Sequence, residues 1–277
     1  MPRCSWHDLP PDLHRAVEAR VGPVTGVQDL AAGSAAHLVS VLTTAEGQVF
    51  VKGVGAGTRA AVIQGREAAI NPHLPRGCVP RLRWTVQDEG WLLHGYQYIP
   101  GRHADLSPGS GDLPLVITTL NAVCAALSPC PDLDVPVQRF ADRWAGRIRA
   151  EYVEGDTLVH TDLTPRNLLV DGTRAWLVDW AGPCVGAPWI SAAFLAVRLI
   201  RAGHHPRDAE VLLQDATAWS VATPEALDAF AEASARLWQQ RAIEIGAPHH
   251  APLAEAAHRW NEYRTDAKLV RGAQPSA

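Results

Sequence analysis

A chain of 277 residues, 47% of them hydrophobic and 19% charged, is long enough to bury a substantial core, as one large domain or as two lobes. The net charge of −4 gives no basic field for nucleic acid or an anionic membrane surface, and five scattered cysteines without a Cys-x-x-Cys pair read as reduced thiols. The chain opens without the apolar core of a signal peptide and no apolar run reaches bilayer length, so a soluble, cytoplasmic protein is expected.

Residues 8–20 read as a short helix with proline near its first turn. Two strands follow, over 24–31 and 38–43, joined by the small residues of 32–37. Such a hairpin lets backbone amides approach an anion closely, or is a plain tight turn; the segment alone supports both. Residues 48–54 alternate as a third strand. Only two of the 25 basic residues are lysines, Lys52 and Lys268, and Lys52 stands in this otherwise apolar strand. An unpaired ammonium there would be costly, so it needs an anionic partner, which Glu67 can supply from a helix expected over 58–70. The glycines at 53, 55 and 57 match neither a dinucleotide fingerprint nor a P-loop and read as a flexible connection. A second hairpin is expected over 80–87 and 90–99. At about residue 100 a Pro/Gly/Ser-rich stretch begins and the composition shifts from strand to helix, which places a boundary there.

Helical spacing of apolar residues covers 114–127 and 137–149. Then comes the most informative stretch, 158–180: a short apolar strand, a polar loop, a second apolar strand, a turn at Asp171-Gly172, and a third strand ending in an acid. The loop presents Asp162 and Asn167 five residues apart, and Asp179 lies twelve residues beyond Asn167. Two carboxylates and a carboxamide suit a hard cation such as Mg²⁺ that completes its shell with phosphate oxygens. In phosphoryl transfer one Asp takes the acceptor hydroxyl's proton while an Asn and a later Asp hold the metal, and the run His-x-Asp-x-x-x-x-Asn followed by a strand-end Asp fits that division. Four further helices are expected, over 188–202, 206–220, 224–245 and 252–266, several of them opening at proline.

With His160, Asp162, Asn167 and Asp179 in this order, and Val-Asp-Trp at 178–180, the chain resembles the aminoglycoside phosphotransferase and choline kinase-like small-molecule kinases, relatives of the protein kinases. The resemblance implies a two-lobed α+β, protein kinase-like fold. Residues 1–99 would form a nucleotide-binding lobe with a five-stranded antiparallel sheet and one helix, and residues 100–277 a mainly helical catalytic and substrate lobe. It implies that the 32–37 hairpin covers the phosphates of ATP (or GTP), with Ser34 near its tip. Lys52 would orient those phosphates and Glu67 would orient Lys52. The Gln97 carbonyl and Ile99 amide would meet the adenine edge. Asp162 would accept the hydroxyl proton, Asn167 and Asp179 would hold Mg²⁺, and His160 would buttress the loop. Arg166, four residues after Asp162, is placed by its spacing to reach the transferring phosphate, much as in tyrosine kinases.

Two positions depart from the family pattern. Thr164 stands where protein serine kinases carry Lys, and Ser191 falls in the Pro-x-x-Asp context where the family carries a carboxylate, which predicts a weakened contact to the catalytic loop. The twelve histidines form no zinc motif: His-Glu-x-x-His is absent, and Glu255-x-x-His258 is a lone unit where a di-iron helix site needs two. Tryptophans 219, 238 and 260 read as core. The expected activity is ATP/Mg²⁺-dependent phosphorylation of a hydroxyl on a small molecule. From residue 181 on, ten acidic residues face nine basic ones, which argues against a dedicated receptacle for a polycation. Only eight residues separate Asp179 from Pro188, too few for the activation loop of a protein kinase. The rival is a catalytically silent kinase fold that binds nucleotide or a partner. It has no use for a proton acceptor at Asp162.

Overall fold

Strand alternation sets up the first of two compact units. Val49 and Val51 on one strand, and Leu93 on its neighbour, are buried in a shared core with Leu38 and Leu42. The computed structural model describes residues 4–30 and 36–272. Its first unit takes in the described residues up to Pro100 together with Leu133–Val135 and Asp179–Ala181; the second takes in Gly101–Asp132, Pro136–Val178 and the described residues from Gly182 on.

In the first unit, α1 (Pro11–Val21) opens on proline and ends at Gly22, whose φ of 78° suits a residue without Cβ. Leu13, Val17 and Val21 recur every four residues along α1 and enter the core. The strands β1 (Gly26–Asp29), β2 (Leu38–Thr44), β3 (Gly47–Gly55), β4 (Leu82–Asp88) and β5 (Trp91–Gln97) form one antiparallel sheet in the order β1-β2-β3-β5-β4. The first strand is shorter than its sequence suggests, and Ser34 with the middle of its hairpin lies outside the described residues. Between β3 and β4 runs α2 (Arg59–Ile70), capped by Thr58, whose hydroxyl accepts from the Ala61 N–H at 3.2 Å. Gly95 is a packing requirement: a Cβ there would lie 2.1 Å from the Trp84 ring that covers it.

The second unit begins with β6 (Arg102–His103) and α3 (Leu113–Ala126). The helix expected over 137–149 shrinks to one turn, α4 (Phe140–Arg143). Gly146 adopts φ 76°, which breaks the helix, and Arg139 instead bridges Val185 in extended conformation. After α5 (Ala150–Val153) come β7 (Thr157–Val159), β8 (Leu168–Val170), β9 (Ala175–Leu177) and β10 (Cys184–Gly186). The strand before the polar loop and the strands after it belong to different sheets. β7 pairs with β10, whereas β8 lies between β6 and β9.

The β8–β9 turn is held by Asp171. Its carboxylate accepts from the Trp176 indole at 2.8 Å and from the Thr173 N–H at 3.0 Å, and these bonds hold its pKa down to about 2. Asp179 is not a strand residue: β9 ends at Leu177, two residues earlier. The helices α6 (Ile190–Arg201), α7 (Pro206–Leu213), α8 (Pro224–Glu244) and α9 (His250–Gly272) complete the unit. The helix expected to reach 220 stops at Leu213, and a separate 3-10 turn, Thr217–Val221, follows with its Thr217 N–H held by the Asn121 side chain at 2.8 Å. Phe140, Trp144, Phe194 and Phe230 stack and edge against one another as the aromatic core. No helix among the described residues is long and apolar enough to cross a membrane.

One buried titratable group in the sheet makes stability depend on pH. His94 on β5 is 2% exposed and shares a hydrogen bond of 3.0 Å with the Thr85 hydroxyl across the β4–β5 pairing. Burial, and then the charge of Lys52, push its pKa down to about 4. The unfolded chain therefore binds the extra proton first. Stability is full above about pH 6.5 and falls as the pH drops toward 4, by about 3 kcal/mol for a shift of this size. Urea melts of the His94→Leu variant are expected to show a flatter pH dependence than wild type across that window.

Candidate active site

The candidate side chains fall into two groups, one in each unit. In the first, β3 carries Lys52 with its side chain 15% exposed, a position where an ammonium survives only with anionic partners. Lys52 Nζ lies 3.0 Å from both Glu67 oxygens on α2 and 2.8 Å from Asp179 Oδ1. Burial alone would push the Lys52 pKa down, but the charges of Glu67 and Asp179 outweigh it and hold it above the ordinary lysine value. Glu67 Oε1 also accepts from the backbone N–H of Trp180 at 3.1 Å, so the turn that carries Asp179 is fixed to α2 as well. Asp179 has φ 66°, a left-handed conformation that Asp tolerates better than most residues. Tyr96 places its ring 5.9 Å from the ammonium.

In the second unit, the loop between β7 and β8 is organised by His160. Its Nδ1 accepts from the Asp162 N–H at 3.2 Å, so the proton sits on Nε2, which donates to the Val178 carbonyl at 3.1 Å. A ring that bonds backbone on both sides is a brace, and the carboxylate of Asp162, 59% exposed, is the group left facing outward. Asn167 ends the 3-10 turn Pro165–Asn167, and its amide donates to the Asp162 carbonyl at 2.9 Å and to Oδ2 at 3.2 Å. With its N–H groups turned to Asp162, Asn167 presents its oxygen elsewhere. The Val178 N–H donates to the Asn167 carbonyl at 2.9 Å, and Asp179 is the next residue in the chain.

The remaining sequence candidates are placed as follows. Gln97 ends β5, with its N–H on the Arg81 carbonyl at 2.7 Å, and Ile99 is buried two residues on. Arg166 is exposed on the 3-10 turn. Ser191 on α6 corrects the expectation of a weakened contact: its hydroxyl accepts from the buried His160 N–H at 3.1 Å, so a neutral oxygen supplies the acceptor that anchors the loop.

Three arginines were not singled out by sequence. Arg198 on α6 is 7% exposed and reaches Asp162 Oδ1 at 3.3 Å. Arg143 reaches the Thr161 hydroxyl at 3.1 Å and the Gly182 carbonyl at 2.8 Å. Arg241 lies with its guanidinium carbon 4.8 Å from the Trp238 ring centre, and Arg198 is 5.2 Å from the same ring. The signal for Arg198 was the one applied to Lys52, a cation in an apolar element that requires a partner.

The donor chemistry fits a hard cation. A carboxamide oxygen at Asn167 and a carboxylate at Asp179 are ligands of the kind Mg²⁺ takes when it keeps waters and substrate phosphates in its shell. Among the described residues no cluster of three His, Cys, Asp or Glu is placed to hold a metal by itself.

The Lys52 pair gives a stability test. Glu67→Ala leaves the ammonium with only the half-exposed Asp179, and a loss of about 3–5 kcal/mol is expected in urea unfolding. The double variant Lys52→Met/Glu67→Leu, which removes both buried charges, is expected to lose less than the single one.

Residues 117–238 match the model of the phosphotransferase enzyme family. A comparison with curated protein sequences finds no match. A thermostable mutant of aminoglycoside phosphotransferase APH(4)-Ia, solved with AMP-PNP and hygromycin B, superposes with a TM-score of 0.62 at 14% identity, over 96% of this chain and 100% of that one. The choline kinase LicA from Streptococcus pneumoniae superposes with a TM-score of 0.58 at 14% identity, over 91% of this chain and 99% of that one. LicA has also been solved with AMP, at a TM-score of 0.54. Residues 117–238 are thus similar to the phosphotransferase enzyme family, and the fold is the protein kinase-like one seen in the aminoglycoside phosphotransferase and the choline kinase.

Proposed function

We propose that the protein transfers the γ-phosphoryl group of ATP (or GTP), with Mg²⁺, to a hydroxyl of a small molecule. The observation that carries this reading is the braced loop: His160 fixes Asp162 by its backbone while the carboxylate stays 59% exposed, available to a substrate. In the reaction Asp162 takes the proton of the acceptor hydroxyl. That oxygen forms a bond to the γ-phosphorus as the bond to the bridging oxygen breaks, and ADP leaves with the electron pair. Lys52, oriented by Glu67, steadies the nucleotide phosphates. Asn167 and Asp179 would hold Mg²⁺, which neutralises charge on the phosphates when bound. The backbone at Gln97 and Ile99 meets the adenine, and the helical unit supplies the acceptor's binding surface. Most of the rate gain then comes from positioning and charge neutralisation, as is general for phosphoryl transfer.

Support comes from the family match, from neighbours solved with AMP-PNP and AMP, and from the joint presence of a proton acceptor, two oxygen ligands and a paired lysine. The Asp162→Asn variant is the direct test. ADP release in Mg²⁺ is expected to fall by about 10²-fold or more, the scale of general-base catalysis, while calorimetric ATP binding persists. Equal ADP release from both proteins would refute the assignment of Asp162, and nucleotide binding without any turnover on hydroxyl compounds would favour a binding-only role.

A further inference from the structure

Within the helical unit, the surroundings of Asp162 are cationic. Arg198 contacts the Asp162 carboxylate, Arg143 is bonded to the neighbouring Thr161, and Arg241 shares the Trp238 ring with Arg198. One guanidinium thus touches the carboxylate, a second is bonded to the residue before it, and Arg241 lies within reach of the charges of both Arg143 and Asp162. Among the described residues no carboxylate lies within ion-pair range of Arg143 or Arg241, and Asp162 meets Arg198 through a single oxygen at 3.3 Å. Burial, and then the charges of Arg143 and Arg147, push the pKa of Arg241 down, and burial brings Arg198 to about 10, the mark of cations that their surroundings compensate poorly. Two of the three are also held in place. Arg198 is buried, and it and Arg241 lie on an indole that is itself 7% exposed. Fixed, partly desolvated guanidiniums with spare donors recognise planar or tetrahedral oxyanions, whereas a polycation would meet their field as repulsion.

We infer that the acceptor carries an anionic group, a carboxylate or a phosphate, close to the hydroxyl that is phosphorylated, and that Arg143, Arg198 and Arg241 receive it. The inference rests on the phosphotransfer reading for the hydroxyl and on the arginine cluster alone for the anion. It separates this chain from phosphotransferases that take aminoglycosides or choline, whose acceptors are cations. Arg241 acts as a specificity-determining residue because it touches neither Asp162 nor the Asn167 side chain in the described contacts.

The test is a matched panel with the full chain: glycerol against glycerate, ribose against ribose 5-phosphate, ethanolamine against serine, and one aminoglycoside as the polycationic extreme. ADP release and calorimetric binding are measured for wild type, Arg241→Gln and Asp162→Asn. The expected result is a kcat/KM at least about tenfold higher for the anionic member of at least one pair, and a KM for that compound about tenfold or more higher in Arg241→Gln, the loss of one charge-assisted contact. Asp162-dependent turnover that is equal on members with and without the carboxylate or phosphate, or best on the aminoglycoside, overturns the anionic acceptor and leaves the kinase reading standing. A fall in kcat alone in Arg241→Gln, with KM for the acceptor unchanged, moves the cluster to the transferring phosphate and overturns it too. Binding of an anionic member that Arg241→Gln weakens, without Asp162-dependent ADP release, upholds the anion site and removes the kinase reading. Neither binding nor turnover of any anionic member overturns the inference.

Discussion

A cation buried in an apolar strand is the constraint from which the first unit is built. An ammonium at Lys52 is tolerable only because two carboxylates stand within 3.0 Å, one from α2 and one from the turn after β9. Glu67 is shared between the ammonium and the Trp180 N–H, so helix, strand and turn are tied to the same charge. A pair of this kind contributes little net stability, since desolvation consumes most of the Coulombic gain. What it contributes is position: the lysine and Asp179 are held as a set.

The second unit applies the same economy with a neutral group. His160 bonds the loop backbone on one side and the strand exit on the other, and Ser191 takes the remaining N–H from α6. Every one of these bonds is short-range and uncharged, and each leaves the carboxylate of Asp162 out of the scaffold. The charge facing it is Arg198, whose own surroundings include further arginines and an indole. The rigid scaffold and the exposed carboxylate are therefore carried by different atoms of the same few residues.

Much of this was legible in the sequence because it is local. The order His160, Asp162, Asn167 and Asp179 lies within twenty residues, and a strand lysine with a helix glutamate fifteen residues on announces its own pairing. The antiparallel sheet follows from alternation and turns. Non-local pairing was not legible. Nothing in the run 158–160 says that β7 joins β10 instead of β8, because both partners are short apolar segments of equal fit. Apolar spacing over 137–149 does not make a helix of that length because the chain turns left-handed at Gly146. At Ser191 the sequence shows a missing charge where the contact needs only an oxygen, and the apolar helix around Arg198 poses the same question as the strand around Lys52.

The left-handed turn at Asp179 has an evolutionary corollary. Only glycine, asparagine and aspartate occupy such a backbone at low cost. Any lineage that discards the carboxylate at this position is steered toward Asn or Gly, replacements that preserve the chain's path. Loss of the charge and retention of the architecture are thereby a single nucleotide step apart, and relatives that dispense with this carboxylate would be recognisable by that exchange before any other.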